Sequence, residues 1–186
     1  MELVRRVPVL AWFLLITLVV LIAGVFFFTK NPSLTKEEDP TKPQAVSKPV
    51  EGTEDFAIVG RGHITDGTPG SGYNSNPPSS GPHWQAPAKA GIYDSPLPDE
   101  RFIHNLEHGH IWIAYKNDVG DEVKNKLKGI VENENFKIVL APRDANETKI
   151  ALVAWGRVLK MQELDEQKVR DFIRTYRNRG PENTPE

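Results

Sequence analysis

Apolar residues along this chain fall into three regimes. From Val7 to Phe28 the run "VPVLAWFLLITLVVLIAGVFFF" holds 22 residues without a charge, long enough to cross the hydrocarbon core of a bilayer as one helix. Arg5 and Arg6 precede it, so the positive-inside rule puts residues 1–6 in the cytoplasm and everything after the span outside. The run exceeds the apolar core of a secretory signal, and no small-x-small cleavage site follows it. Residues 7–28 are therefore read as an uncleaved, single-pass anchor in the cell membrane. It has no G-x-x-x-G pair to signal dimerisation.

Residues 29–52 are rich in Pro, Lys, Glu, Ser and Thr and nearly free of large apolar side chains. Such a segment cannot bury enough apolar surface to offset its ordering entropy and reads as a flexible linker. Residues 53–186 regain apolar periodicity and form the expected extracytoplasmic globular domain. Its first half, to about Asn105, is dense in Gly, Pro, Asn and Ser and reads as organised loop, with one short apolar stretch at Phe56 to Gly60.

The second half carries conventional elements. "HIWIAY" (His110 to Tyr115), "FKIVLAP" (Phe136 to Pro142) and "KIALVAWG" (Lys149 to Gly156) have strand composition. Between the first two, Val123, Leu127, Ile130 and Val131 recur at helical spacing behind Asp121 as a cap. A last helix is expected from about Asp165 to Arg177, with Val169, Phe172, Ile173 and Tyr176 on one face and Gly180 and Pro181 ending it. This order predicts an α+β domain: a small, mainly antiparallel sheet with two packed helices, preceded by a Pro/Gly-rich loop region. The second and third strands, joined by "APRDANET", are expected to pair as an antiparallel hairpin.

Charge and composition narrow the chemistry. A net charge of -2 and a pI near 6.2 give no basic field for nucleic acid. Cysteine is absent, which removes disulfides, thiolate metal sites and thiol catalysis together. Any metal must be held by His, Asp, Glu or backbone oxygen. Asn146-Glu147-Thr148 is formally a glycosylation sequon, a motif common by chance.

All five histidines lie between His63 and His110, a window of 48 residues. The densest stretch, "FIHNLEHGHIWIAY", sets His104, Glu107, His108 and His110 just before the strongest strand. If His104 to His108 is one helical turn, both imidazoles share a face and can reach one ion. If the segment ends extended, His108 and His110 share a strand face instead. Glu107 is either a further ligand or the acceptor that orients an imidazole. The order differs from H-E-x-x-H, so the metalloprotease reading does not follow.

Upstream, "YNSNPPSSGPHW" fixes the backbone before His83. Proline after Asn76 and after Pro77 pushes the run toward polyproline geometry, and Ser80-Gly81-Pro82 suggests a turn that presents His83. A loop so constrained loses little entropy on ordering and can hold a ligand side chain in place. Ser79 or Ser80 paired with His83 as a hydrolytic nucleophile lacks the G-x-S-x-G context.

"YNSNPPSSGPHW", "GIYDSPLPDERFIHNLEHGHIWIAY", "APR", "IALVAWGR" and "FIRTYRNRGPE" together resemble the bacterial domain-of-unknown-function family 3105, over about His63 to Glu182. The resemblance implies a membrane-anchored or secreted prokaryotic protein whose activity is unassigned. It carries His83, His104, Glu107 and His108 across as shared positions, with His63 beside them, whereas His110 stands where the family often has a small or apolar residue.

Two functions from different classes follow. One is an extracytoplasmic metal site built by His83, His104 and His108 and completed by His63 or Glu107, with copper or zinc as the ion. Imidazole donors without Cys or nearby Met argue against a dedicated soft copper(I) carrier. The other is a non-catalytic binding or scaffold domain, in which the Pro-rich loop with Trp84, Tyr93 and Trp112 forms a groove for an envelope protein, peptide or glycan.

Overall fold

The computed structural model describes residues 17–19, 48–182, 184 and 185. Contacts divide the chain into two units, Met1–Asp39 and Pro40–Glu186. Of the first, only residues 17–19 are described, and they are helical. The rest of the expected span 7–28, the tail 1–6 and residues 29–47 of the expected linker lie outside the described residues. Among the described residues no helix is long and apolar enough to cross a membrane.

The second unit is α+β. Its elements in order are β1 (Thr53–Asp55), β2 (His63–Ile64), β3 (His83–Trp84), β4 (Gly91–Ile92), α1 (Asp99–Glu107), β5 (Ile111–Tyr115), a 3₁₀ turn (Asn117–Val119), α2 (Asp121–Glu134), β6 (Ile138–Pro142), β7 (Ile150–Ala154), β8 (Arg157–Met161) and α3 (Glu166–Tyr176). Six strands form one sheet in the order β1-β8-β7-β5-β6-β4, while β2 and β3 pair separately. In the large sheet β1/β8, β8/β7 and β7/β5 are antiparallel and β5/β6 and β6/β4 are parallel, so the sheet is mainly antiparallel.

The expected hairpin between the second and third predicted strands does not form. β5 lies between β6 and β7, parallel to one and antiparallel to the other. The reason is α2: a helix between β5 and β6 returns the chain to the start of the sheet, so the two strands run the same way. The stretch "KIALVAWG" is one strand only as far as Ala154. Trp155 and Gly156, with φ +70° at the glycine, turn the chain into β8, a strand the sequence reading did not include.

Every residue of β5, β6 and β7 is buried, as expected of strands covered on both faces. Alternation along β5 divides the core in two. Ile111, Ile113 and Tyr115 face a cluster with Leu127 and Ile130 of α2 and Phe172 and Ile173 of α3. Trp112 and Ala114 face a second cluster with Phe102, Ile103 and Leu106 of α1. The domain therefore packs three helices, not the two expected, and α1 is the one that covers the opposite face. Nine residues in α1 include six buried ones, three of them polar, which hides its apolar periodicity.

The Pro-rich stretch packs beneath α1 and the β7–β8 turn. Residues 77–81 are buried, the Asn76–Pro77 peptide is cis where an extended run was expected, and Ser79 O accepts from Gly156 N at 3.0 Å. Arg143 ties this loop to the rest. It donates to both Asp99 carboxylate oxygens, at 2.8 to 3.1 Å, and to Asn76 Oδ1 and Asn146 Oδ1. Asn146, the sequon residue, is itself buried.

Candidate metal centre

Two short elements and one helix gather the histidines. β2 and β3 pair in parallel with His63 opposite His83, so both imidazoles leave the same face of the ribbon. α1 packs against β3 and presents His104 from its last turn. Ring centroids lie 4.9 Å apart for His63 and His83, 5.0 Å for His63 and His104, and 5.1 Å for His83 and His104. One ligand atom from each lies within 4.8 Å of the other two. A nitrogen about 2.0 Å from an ion places its ring centroid about 3.1 Å away, so a tetrahedral pair of imidazoles has centroids about 5.1 Å apart. The observed triangle has that size on all three sides.

Backbone carbonyls orient two of these rings. His104 Nδ1 donates to Trp84 O at 2.7 Å and His83 Nδ1 to Gly81 O at 2.8 Å. Holding the proton on Nδ1 leaves Nε2 as the ligating atom, the arrangement that outer partners impose on metal-bound histidines. His83 is fully buried and His63 remains exposed at the edge. Burial pushes the His104 imidazole below its ordinary value. The bond to Trp84 opposes this, and the neighbouring rings of His108, His83 and His63 add to it. The neutral ring, which is the ligating form, is thereby favoured.

Glu107, almost fully buried, meets this triangle from one side. Its Oε2 lies 3.0 Å from His83 Nε2 and 4.0 Å from His63 Nε2, and its Oε1 accepts from Arg61 Nε at 2.7 Å. A carboxylate without cationic or hydrogen-bonding partners would be too costly to bury here. His108 adjoins the triangle through His104, with ring centroids 4.5 Å apart. Of the two geometries open for this stretch the helical one is found: His108 caps the helix one turn after His104, and the two Nε2 atoms are 3.1 Å apart. Two nitrogens on one tetrahedral ion are about 3.4 Å apart.

The C-terminal tail closes over the same place. Glu182 Oε1 accepts from the Arg61 guanidinium at 3.1 Å, its Oε2 is 3.3 Å from His108 Nε2, and its backbone N–H bonds to Glu107 O at 3.0 Å. Gly180 permits the approach, since a Cβ there would fall 2.1 Å from Glu107 O. Buried Lys137 fastens the strap. Its ammonium donates to His108 O, Asn178 Oδ1 and Thr184 O at 2.6 to 2.9 Å.

His63, His83, His104, His108 and Glu107, all singled out from sequence, thus stand together. His110 does not join them. It lies in the wall of a cleft of about 430 Å³ with Pro87, Ala88 and Lys89, its Nδ1 without a partner among the described residues, and burial, with Lys137 nearby, holds its imidazole at about 4. The serines are structural. Ser80 Oγ accepts from Val59 N and Ser75 Oγ from Ser79 N, while His83 Nδ1 bonds to Gly81 O and its Nε2 lies beside Glu107 rather than a serine. Of the aromatic residues expected to line a groove, Trp112 is fully buried against Phe102 and Trp84 and Tyr93 are half-buried, while residues 77–81 of the Pro-rich loop are buried.

Arg61 and Glu182 were not found from sequence as site residues. Each is a single charged residue, 46 and 75 positions from Glu107, and nothing local marks it. The sequence signal that existed was Gly180-Pro181-Glu182, a block whose glycine serves close approach rather than helix termination alone.

No curated protein and no solved structure matches the chain. Residues 63–186 match the family described as protein of unknown function, DUF3105, a segment that runs from the first histidine of the triangle through the tail that covers it. The chain belongs to that family.

Proposed function

We propose that this domain holds a transition-metal ion, copper or zinc, on His63, His83 and His104, with Glu107 and His108 adjoining, and that the N-terminal span displays it on the outer side of the cell membrane. The observation that carries the reading is the triangle of imidazoles, equal-sided near 5 Å, with two rings held by carbonyls at Nδ1. Nitrogen and carboxylate donors without sulfur suit zinc or copper(II). Three imidazoles leave one position of a four-coordinate ion open, where the ion acts as a Lewis acid or lowers the pKa of a bound water. The uncharged run from Val7 to Phe28 behind Arg5 and Arg6 supports the anchoring.

Elemental analysis of the full chain, purified in detergent without a His tag or chelator, tests the metal. Near-stoichiometric copper or zinc is expected in the wild type and its loss in both His83→Gln and His104→Gln. A wild type that neither carries nor takes up either ion rejects the reading. Protease or thiol-reagent access to residues after 29 in intact cells, using an introduced cysteine, tests the topology.

A further inference from the structure

The structure places a carboxylate at the mouth of the histidine cluster, and it is the protein's own. Glu182 is bound there by the Arg61 guanidinium at 3.1 Å and by His108 Nε2 at 3.3 Å. These are groups that recognise an external carboxylate: a guanidinium that presents N–H donors in a plane, and an imidazole nitrogen within ion-pair distance that carries a positive charge when protonated. The holder is loose where it matters. The Glu182 and Arg61 side chains are 43 % and 48 % exposed, so the contact opens to solvent without disturbing the core.

The tail that supplies Glu182 is anchored elsewhere. Its backbone is held through Glu182 N to Glu107 O and through Thr184 O to Lys137. The carboxylate can therefore swing away while the strap stays in place. Glu107, by contrast, is buried beside His83 and Arg61 Nε and keeps Arg61 fixed when Glu182 leaves.

We propose that the Arg61–His108 position is a binding site for a small organic carboxylate, and that Glu182 occupies it as a tethered competitor that such a ligand displaces. The inference deepens the metal reading, on which it rests for what the ligand does there: His108 Nε2 is 3.1 Å from His104 Nε2, so the bound carboxylate lies next to the ion's donors. A tethered group competes at an effective concentration in the millimolar range or above. A ligand's apparent affinity then falls in proportion to the fraction of chains whose site is open.

Acetate binding to the full chain in detergent, followed by calorimetry with and without prior loading with zinc, tests this. Glu182→Ala removes the competitor and keeps the backbone bond to Glu107. It is expected to bind acetate at least tenfold more tightly than the wild type, and Glu182→Gln, which removes only the charge, by a smaller factor. Adding Arg61→Gln or His108→Gln to Glu182→Ala is expected to abolish the gain. Methylammonium, of similar size and opposite charge, is expected not to bind. Equal acetate affinity in the wild type and Glu182→Ala overturns the proposal, as does a gain that survives both second substitutions. The zinc-loading step reports separately on the metal: a chain that takes up no zinc but shows the Glu182→Ala gain keeps the carboxylate site and loses the metal centre, and a zinc-loaded chain without the gain does the reverse.

Discussion

Replacing Lys137 with Met removes one buried ammonium and keeps the stem's volume. Lys137 sits at φ +48°, and Met bears the same backbone strain, so the comparison isolates the charge and its bonds. The ammonium donates to His108 O, Asn178 Oδ1 and Thr184 O. A hydrogen bond with a charged partner contributes about 1.5–3 kcal/mol net, so three give a ceiling of about 5–9 kcal/mol. Burying the ammonium takes back several kcal/mol of that, and the two tail acceptors regain water once the tail lifts. The expected net loss is about 2–3 kcal/mol. Urea unfolding of the full chain in detergent, followed by tryptophan fluorescence, measures it, and carboxypeptidase digestion measures the tail. Trimming should reach Glu182 faster in Lys137→Met than in the wild type. A loss below about 0.5 kcal/mol, within the range of an ordinary surface change, together with wild-type protection of the tail, would refute the view that Lys137 fastens the strap.

Three further outcomes are expected. His110 is held at about 4 in the folded chain against an ordinary 6.5, chiefly by burial and then by Lys137, His108 and His104, with the Asn105 carbonyl opposing. Between those values the unfolded chain takes up a proton that the folded chain does not, so stability falls as the pH drops from about 6.5 to about 4, by about 3 kcal/mol in total. His110→Gln should flatten that part of a stability–pH profile, and a profile unchanged by the substitution contradicts the assignment. Arg143→Lys gives up the planar fork that grips Asp99, Asn76 and Asn146 together and should cost about 2 kcal/mol in urea unfolding; a cost near zero would show the network to be incidental. Gly180→Ala puts a methyl group 2.1 Å from Glu107 O and 2.3 Å from Gly109 N, so the tail must lift, with faster carboxypeptidase trimming at a stability cost of about 1–3 kcal/mol. Unchanged trimming would mean that the tail does not run as described.

The elements legible in sequence were those whose burial follows a simple period. β5 and β6 read as strands because both faces are apolar, and α2 and α3 read as helices because only one face is. Asp165 caps α3, accepting from Lys168 N at 3.0 Å, whereas Asp121, expected to cap α2, is its first helical residue behind Gly120 and the helix start has no side-chain cap bond. α1 was hidden because the site lies on it: His104, Asn105 and Glu107 are polar residues buried for their hydrogen bonds, and they break the apolar period that would have announced a helix. The hairpin was misassigned because strand order depends on where α2 returns the chain, which composition does not encode. For the site, clustering in sequence was enough to find His104, Glu107 and His108. His83 was legible from the rigid Pro-rich loop before it and His63 from the family resemblance, but the parallel β2–β3 pair that sets them side by side is too short to leave a pattern. Arg61 and Glu182 come in over long separations through Gly109, Gly180 and Lys137, and only the folded chain brings them together.

X-ray absorption on the full chain as isolated, in detergent and without chelator, tests the central claim most directly. A copper or zinc edge with a first shell of nitrogen and oxygen at about 2.0–2.1 Å and the multiple scattering of about three imidazoles is expected, with His63→Gln reducing the imidazole count by one. An edge without imidazole scattering, or a chain that carries neither metal, would contradict the account.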